Sequence, residues 1–386
     1  MSETGPNSEP AVVPPVLFRE GRVVYVDQTR LPAEYREVSC RNLSDLEGAI
    51  VRLAIRGAPA IGIAAAYGLL QVTAAHLRGL CGDRDVLGPG DRRELEGPVP
   101  SGDAGRLFDG LEDARARLAS TRPTAVNLFR ALDRMARAWA GGGDLPTVVA
   151  DLKREAASIF LEDLESCRAI GRHGAALLER EAGVMTHCNA GGLATSGWGT
   201  ALGVIFQAAA EGKAPRVFVD ETRPLLQGSR LTAWELVRRG IAVTLLCEGA
   251  VGSLLAGGRI RSAVVGADRI ARNGDTANKV GTYGLAVLCR EHGLPFYVAA
   301  PTSTLDPSAR TGRDIPIEER SPEEVSALGW SASAPEGLAC YNPAFDVTPA
   351  GLITAIVTER GVHRPPYEAS LPFEEAENRG RPERAS

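Results

Sequence analysis

No Cys-x-x-Cys pair occurs in this chain, and its five histidines lack the spacing of metal ligands, so no structural zinc site is expected. The seven cysteines (Cys40, Cys81, Cys167, Cys188, Cys247, Cys289 and Cys340) are odd in number and scattered. Such a set reads as reduced thiols in a cytoplasmic protein, not as a disulfide framework. An excess of one charge is also missing. Basic residues number 43 against 48 acidic ones, a net charge of −5, which argues against broad nucleic-acid binding and leaves room for a local basic pocket. The first ten residues are acidic and polar, so no signal peptide is read there. Long apolar runs are absent but for 58–75, and that stretch is built on Ala and Gly, contains Pro59 and Gln71, and is barely long enough to span a bilayer. It predicts a helix buried in a soluble bundle, with no membrane partner.

What remains is an ordinary globular composition, 44% hydrophobic and 24% charged over 386 residues, enough for two domains with separate cores. A disordered leader is expected over 1–14. Residues 16–27 read as two strands around a Glu20-Gly21 turn, and 37–40 as a third. Helical periodicity then covers 44–55, 59–77, 106–119, 123–140 and 145–180, the last as two helices meeting near Gly171. Residues 79–105, rich in Gly, Pro and charge, read as a mobile surface insertion. From Gly183 short apolar runs (184–187, 216–220, 241–246, 262–266, 295–300) alternate with helices (200–211, 229–239, 250–256, 279–291), and 348–360 adds a final helix. The expected fold is therefore α/β. An N-terminal domain, 15–180, carries a small antiparallel sheet and a helical bundle. A Rossmann-like domain, 181–366, carries a parallel sheet with helices on both faces. The charged tail, 367–386, is expected to fray.

Ligands of such sheets bind beyond the carboxyl ends of the strands. Those ends are Cys188, Asp220, Cys247, Asp268 and the segment 301–304. Cys188 precedes a Gly191-Gly192 turn whose backbone N–H groups can approach an anion, and a cysteine amid such donors is more reactive. By residue type alone it equally suits a small buried hydrophobe. His187 is not its base, because adjacent strand residues point to opposite faces. Asp268 ends the apolar stretch 263–267, where weak solvation favours the neutral carboxyl that a general acid needs; a helix-capping role fits the residue type as well. Gly197, Gly199 and Gly203 with Asp220 imitate a dinucleotide fingerprint. The third glycine comes one residue late and the preceding loop is too long, so no nicotinamide is read from it.

Arg56-Gly57-Ala58-Pro59 leads into a helix with Pro59 as its first residue, and Thr121-Arg122-Pro123 repeats the arrangement at another helix start. An arginine beside open N–H groups suits a phosphate, or is a surface arginine at an ordinary turn. Asn278-Lys279 opens a helix ten residues beyond Asp268, close enough to share its pocket. Gln227 before Gly228 offers its amide to a sugar hydroxyl or caps the next helix.

Taken together, these segments resemble one family. Arg56-Gly-Ala-Pro-Ala-Ile-Gly62, Arg122-Pro-Thr-Ala-Val-Asn-Leu128 and Thr186-His-Cys-Asn-Ala-Gly-Gly192 occur in the order of methylthioribose-1-phosphate isomerases. So do Asp220-Glu-Thr-Arg-Pro-Leu-Leu-Gln-Gly228, Gly266-Ala-Asp-Arg-Ile270 with Asn278-Lys279, and Asn342-Pro-Ala-Phe-Asp-Val-Thr-Pro349. The resemblance implies an aldose–ketose isomerisation in methionine salvage, from 5-methylthioribose 1-phosphate to 5-methylthioribulose 1-phosphate. It implies a homodimer, with neither metal nor nicotinamide. It also implies Cys188 and Asp268 as the catalytic pair, and Arg56, Gly57, Ala58, Arg122, Gln227, Asn278 and Lys279 as substrate contacts. The stretch 79–105 departs from the family's shorter link, and the tail beyond Tyr367 has no counterpart. The same pair leaves open isomerisation of ribose 1,5-bisphosphate or 5-deoxyribose 1-phosphate. Regulatory subunits of the translation initiation exchange factor share the architecture and generally lack the pair.

Overall fold

In a computed structural model, which describes residues 14–81, 104–122, 125–328, 331–335 and 337–373, the chain forms two compact units. One comprises Pro14–Glu165 with Leu193–Gly197; the other comprises Ser166–Gly192 and the described residues from Trp198 onward. In the first, Glu20 and Gly21 both take positive φ (51° and 69°), the conformation that closes a two-residue hairpin between β1 (Val16–Arg19) and β2 (Arg22–Val26). β3 (Glu37–Ser39) completes an antiparallel sheet in the order β1-β2-β3. Helices α1 (Leu43–Val51), α2 (Ala58–Cys81), α3 (Gly105–Thr121) and α4 (Val126–Ala140) follow. Asn42 caps α1 by accepting the Asp45 N–H at 3.0 Å.

α2 is the apolar stretch noted above. Among the described residues it is the one helix long and apolar enough to cross a membrane, and Ile61, Ile63, Leu69, Leu70 and Leu77 are buried in the core of this unit. Its first turns and those of α4 cross closely, for a Cβ on Gly62 would fall 2.9 Å from the Asn127 carbonyl oxygen. α5 (Leu145–Ala175) is a single helix, without the break expected at Gly171. That glycine serves close packing instead: a Cβ there would lie 3.0 Å from the carbonyl oxygen of Gly203.

The second unit runs through β4 (Gly183–Thr186), β5 (Arg216–Asp220), β6 (Val243–Leu246), β7 (Ser262–Val265), β8 (Arg269–Ile270), β9 (Thr276–Lys279) and β10 (Phe296–Ala299). A short pair, β11 (Ala327–Leu328) and β12 (Ser331–Ala332), precedes β13 (Phe345–Thr348), β14 (Ala355–Thr358) and β15 (Gly361–His363). Seven of these strands make one sheet in the order β15-β14-β10-β7-β4-β5-β6, parallel throughout except at β14–β15. Every residue of β4, β7, β10 and β14 is buried, as expected for parallel strands covered on both faces. The connections carry α6 (Ala201–Ala210), α7 (Ala233–Arg238), α8 (Val251–Ala256) and α9 (Thr282–Glu291). From β4 the chain builds outward through β5 and β6, then returns to the other side of β4 with β7. The topological switch point, where such sheets bind ligands, therefore lies between β4 and β7.

Several expectations are corrected here. The stretch 348–360 is not a helix: it holds the last residue of β13, a tight turn over Ala350–Leu352, and β14. The β-branched run from Ile353 to Thr358 suits a buried strand beside β10, and a short apolar run fits either period in sequence. Asn278 and Lys279 end β9, paired with Asp346 and Phe345 of β13, and do not open a helix. α9 starts only at Thr282, because Gly281 stands at φ 105°, outside any right-handed helix. The tail does not fray at its start. Tyr367 is buried and its hydroxyl donates to the Ile353 carbonyl at 2.9 Å, while Leu371 and Phe373 join the same core. Residues 1–13 of the leader, 82–103 of the insertion and 374–386 of the tail lie outside the described residues.

Candidate active site

Cys188 leaves the end of β4 with φ 60°, a left-handed backbone that a side chain rarely adopts unless neighbours enforce it. Two hydroxyls do so. The Cys188 N–H donates to Thr222 Oγ1 at 2.9 Å, and the Cys188 carbonyl accepts from Thr232 Oγ1 at 2.5 Å. The thiol is half-buried, whereas Cys40 and Cys289 are fully buried and burial pushes their thiols up to about 12, which leaves them inert.

The glycines beyond Cys188 close the loop around an anion of the protein's own. Glu235 of α7, 6% exposed, accepts the Asn189 side-chain amide at 2.8 Å and the Gly192 N–H at 2.7 Å. A Cβ on Gly191 would lie 2.2 Å from Glu235 Oε1, and one on Gly199 (φ 91°) would lie 2.6 Å from Gly191. The Gly192 donor expected to meet a ligand is thus given to Glu235.

Asp268 follows β7, the strand beside β4. Its N–H donates to the Ala277 carbonyl at 2.9 Å, which sets it next to Asn278 across the β8–β9 hairpin. Gly266, two residues earlier, touches the Cys188 loop, since a Cβ there would lie 2.7 Å from the Ala190 methyl. Cys188 and Asp268 therefore leave adjacent strands at the same end and flank the switch point.

Gln227 is 7% exposed, and its Oε1 has no hydrogen-bond partner among the described residues. An unmet buried acceptor is costly and suits a ligand that donates to it. Asn278 is buried and donates to Thr282 Oγ1 at 2.9 Å. The Lys279 ammonium donates to the Ala344 carbonyl at 2.7 Å and stands 4.9 Å from the Phe345 ring centre.

The other candidates belong to the first unit. Gly57 (φ 94°) precedes α2, and a Cβ there would fall 2.5 Å from both Cα and O of Ala194. The helix begins at Ala58, one residue before Pro59, and the Gly57 carbonyl accepts the Ile61 N–H at 3.0 Å. Arg56 is half-buried just ahead of it. Arg122 closes α3 and does not start a helix; α4 begins at Val126, and residues 123–124 lie outside the described ones. The candidates thus form two sets: Cys188, Gln227, Asp268, Asn278 and Lys279 in one unit, and Arg56, Gly57, Ala58 and Arg122 in the other.

Residues 54–365 match the initiation factor 2 subunit family. The chain belongs to this family. It is 52% identical over 360 residues to the methylthioribose-1-phosphate isomerase of Geobacter metallireducens, covering 92% of this chain and 97% of that one. It is 50% identical over 361 residues to the 5-deoxyribose 1-phosphate isomerase of Moorella thermoacetica, covering 93% and 96%. The crystal structure of 5-methylthioribose 1-phosphate isomerase from Pyrococcus horikoshii superposes with a TM-score of 0.84 at 37% identity, over 97% of this chain and 99% of that one.

In this member of the initiation factor 2 subunit family the sequence concealed the roles of four residues around the Cys188 loop: His187, Thr222, Thr232 and Glu235. His187 is buried and not idle. Its Nδ1 lies 2.8 and 2.9 Å from the two Asp220 oxygens, and its Nε2 lies 2.8 Å from the Val280 carbonyl oxygen. Asp220 also accepts from Thr222 Oγ1 at 2.8 Å, so this acid serves the protein and not a ribose. One signal was available: Leu231, Thr232, Glu235 and Leu236 share a helical face, where an acid beside apolar residues asks for a buried donor.

Proposed function

We propose that the protein converts 5-methylthioribose 1-phosphate to 5-methylthioribulose 1-phosphate. The observation that carries this reading is the position of Cys188 and Asp268 on either side of the β4–β7 switch point. Relatives at 52% and 50% identity named as sugar 1-phosphate isomerases support the reaction class.

The phosphate ester on the anomeric carbon prevents the ring from opening as a free sugar does. Asp268, protonated, gives its proton to the ring oxygen as the C1–ring-oxygen bond breaks. The Cys188 thiolate takes the proton from C2, leaving a C1=C2 enol, and the thiol returns that proton to C1. The C2 hydroxyl then gives its proton to the Asp268 carboxylate as the ketone forms. Both side chains end as they began. The open Gln227 oxygen accepts a sugar hydroxyl.

The test offers three sugars, 5-methylthioribose 1-phosphate, 5-deoxyribose 1-phosphate and ribose 1,5-bisphosphate, and follows ketose formation. The first two share an uncharged carbon five and are expected to react, whereas the bisphosphate needs a second cationic pocket. Cys188→Ser and Asp268→Asn are each expected to lose about 10³-fold in kcat. Full activity in either variant removes the assignment. In heavy water, exchange of the thiol proton with solvent before its return puts deuterium at C1 of the product; its absence counts against a freely exchanging thiol.

A further inference from the structure

Behind Cys188 lies the buried imidazole of His187. His187 is 1% exposed, and each ring nitrogen faces an acceptor: the Asp220 carboxylate at Nδ1 and the Val280 peptide carbonyl at Nε2. A peptide carbonyl has no proton to give, so Nε2 carries one. Asp220 receives the Thr222 hydroxyl as well, and Thr222 Oγ1, having given its proton, accepts the Cys188 N–H. The donors run one way from Cys188 through Thr222 to Asp220, and His187 donates at both ends.

We propose that His187 is held as a doubly protonated imidazolium and is a positioning residue for the site. It fixes the Cys188 peptide through Asp220 and Thr222, and fixes the Asn278-Lys279 strand end through the carbonyl of Val280. The functional half of this inference rests on the isomerase reading; the charge state does not.

The surroundings call for a buried cation. Asp220 is 2% exposed, and a buried carboxylate without a counter-charge is costly. Glu248, which follows β6, accepts the Arg223 N–H at 2.6 Å, and Asp346 of β13 accepts the Gly281 and Tyr283 N–H groups at 2.7 and 3.0 Å. Both carboxylates act electrostatically with the imidazole. The remaining charged neighbours are Glu221, beside Glu248, and Lys279, whose ammonium is given to Ala344. Burial pushes the imidazole down, but Asp220, Glu248 and the Val280 carbonyl outweigh it and leave its affinity for a proton raised. Gly281 makes room: a Cβ there would lie 2.7 Å from His187 Cε1 and 2.7 Å from Glu248 Oε1.

The same residues explain a coincidence. His187, Asp220 and Glu248 bring three potential metal-ligand atoms within 4.8 Å of one another. A ring protonated at both nitrogens has no lone pair for a metal, so this cluster is a charge network and not a metal centre.

Nitrogen-15 NMR of histidine-labelled protein tests the charge state, with His187→Asn identifying the signal. Two protonated ring nitrogens at neutral pH are expected; a single neutral tautomer there overturns the proposal. Thr222→Val tests the positioning, since it cuts the link to Cys188 and leaves the His187–Asp220 pair in place. It is expected to lower kcat about 100-fold, with a smaller change in KM and an unchanged imidazolium signal, and Thr222→Ser to recover most of the loss. Full kcat in Thr222→Val overturns the positioning role. Full activity in Cys188→Ser defeats the isomerase site while leaving the NMR result to stand.

Discussion

One methyl group tests how Arg56 is presented. Gly57 stands at φ 94°, and an added Cβ would come within 2.5 Å of the Ala194 backbone, so Gly57→Ala combines strain with a clash against main chain. A loss of about 1–3 kcal/mol is expected as a lower urea midpoint. A wild-type midpoint would show that the first turn of α2 yields freely. Cys188, Asp268 and Gln227 were legible in the sequence because each sits where an apolar run or a glycine turn ends, and a strand end is a local property. Glu235 and Thr232 were not. Glu235 meets Gly192 and Asn189 across 43 and 46 residues, and no local pattern records which distant N–H an acid will accept.

Between elements, α5 meets α6 through a glycine. Gly174→Ala sets two magnitudes against each other. Helix propensity favours alanine by about 1 kcal/mol, whereas the new Cβ would lie 2.3 Å from Val204 Cγ2. Overpacking against a stiff β-branched side chain costs about 1–3 kcal/mol. A net loss is expected in denaturation, recovered in part by adding Val204→Ala; a stabilised single variant would mean the helices shift apart at little cost. The same closeness explains an error of sequence reading. Gly171 suggested a helix break, yet its missing side chain makes room for Gly203. Likewise 348–360 offered apolar residues at spacings that suit a helix or a buried strand, and pairing with β10 decided the matter. Lys279 and Asn278 were placed on a helix because the turn at Gly281 was unrecognised. The alternation of strands and helices from β4 to β10 was readable throughout, since each buried strand is a short apolar run bounded by turns.

For the whole molecule the buried charge network sets a pH response. His187, Glu248 and Asp346 all hold a proton more firmly than exposed groups of their kind. Burial raises the two carboxyls, and for His187 the neighbouring carboxylates overcome the opposing effect of burial. A group raised on folding stabilises fully below its unfolded pKa and loses that contribution as pH climbs through the folded one. For His187 the window opens at about pH 6.5 and extends upward, with a slope of about 1.4 kcal/mol per pH unit for one proton. Urea midpoints of the wild type are therefore expected to fall above that pH, and those of His187→Asn to fall less. Equal slopes in the two proteins would count against a proton on His187. Asp45, Asp144 and Asp314 have the opposite sign, lowered first by hydrogen bonds to their neighbours, but Asp144 and Asp314 are exposed, Asp45 is partly so, and they contribute little. The left-handed backbone at Cys188 has a consequence of another kind. Glycine adopts φ 60° without hindrance, and one base change in a cysteine codon makes it glycine. Heat endurance alone would therefore not preserve the thiol; in the proposed mechanism, selection on turnover is what keeps the sulfur there.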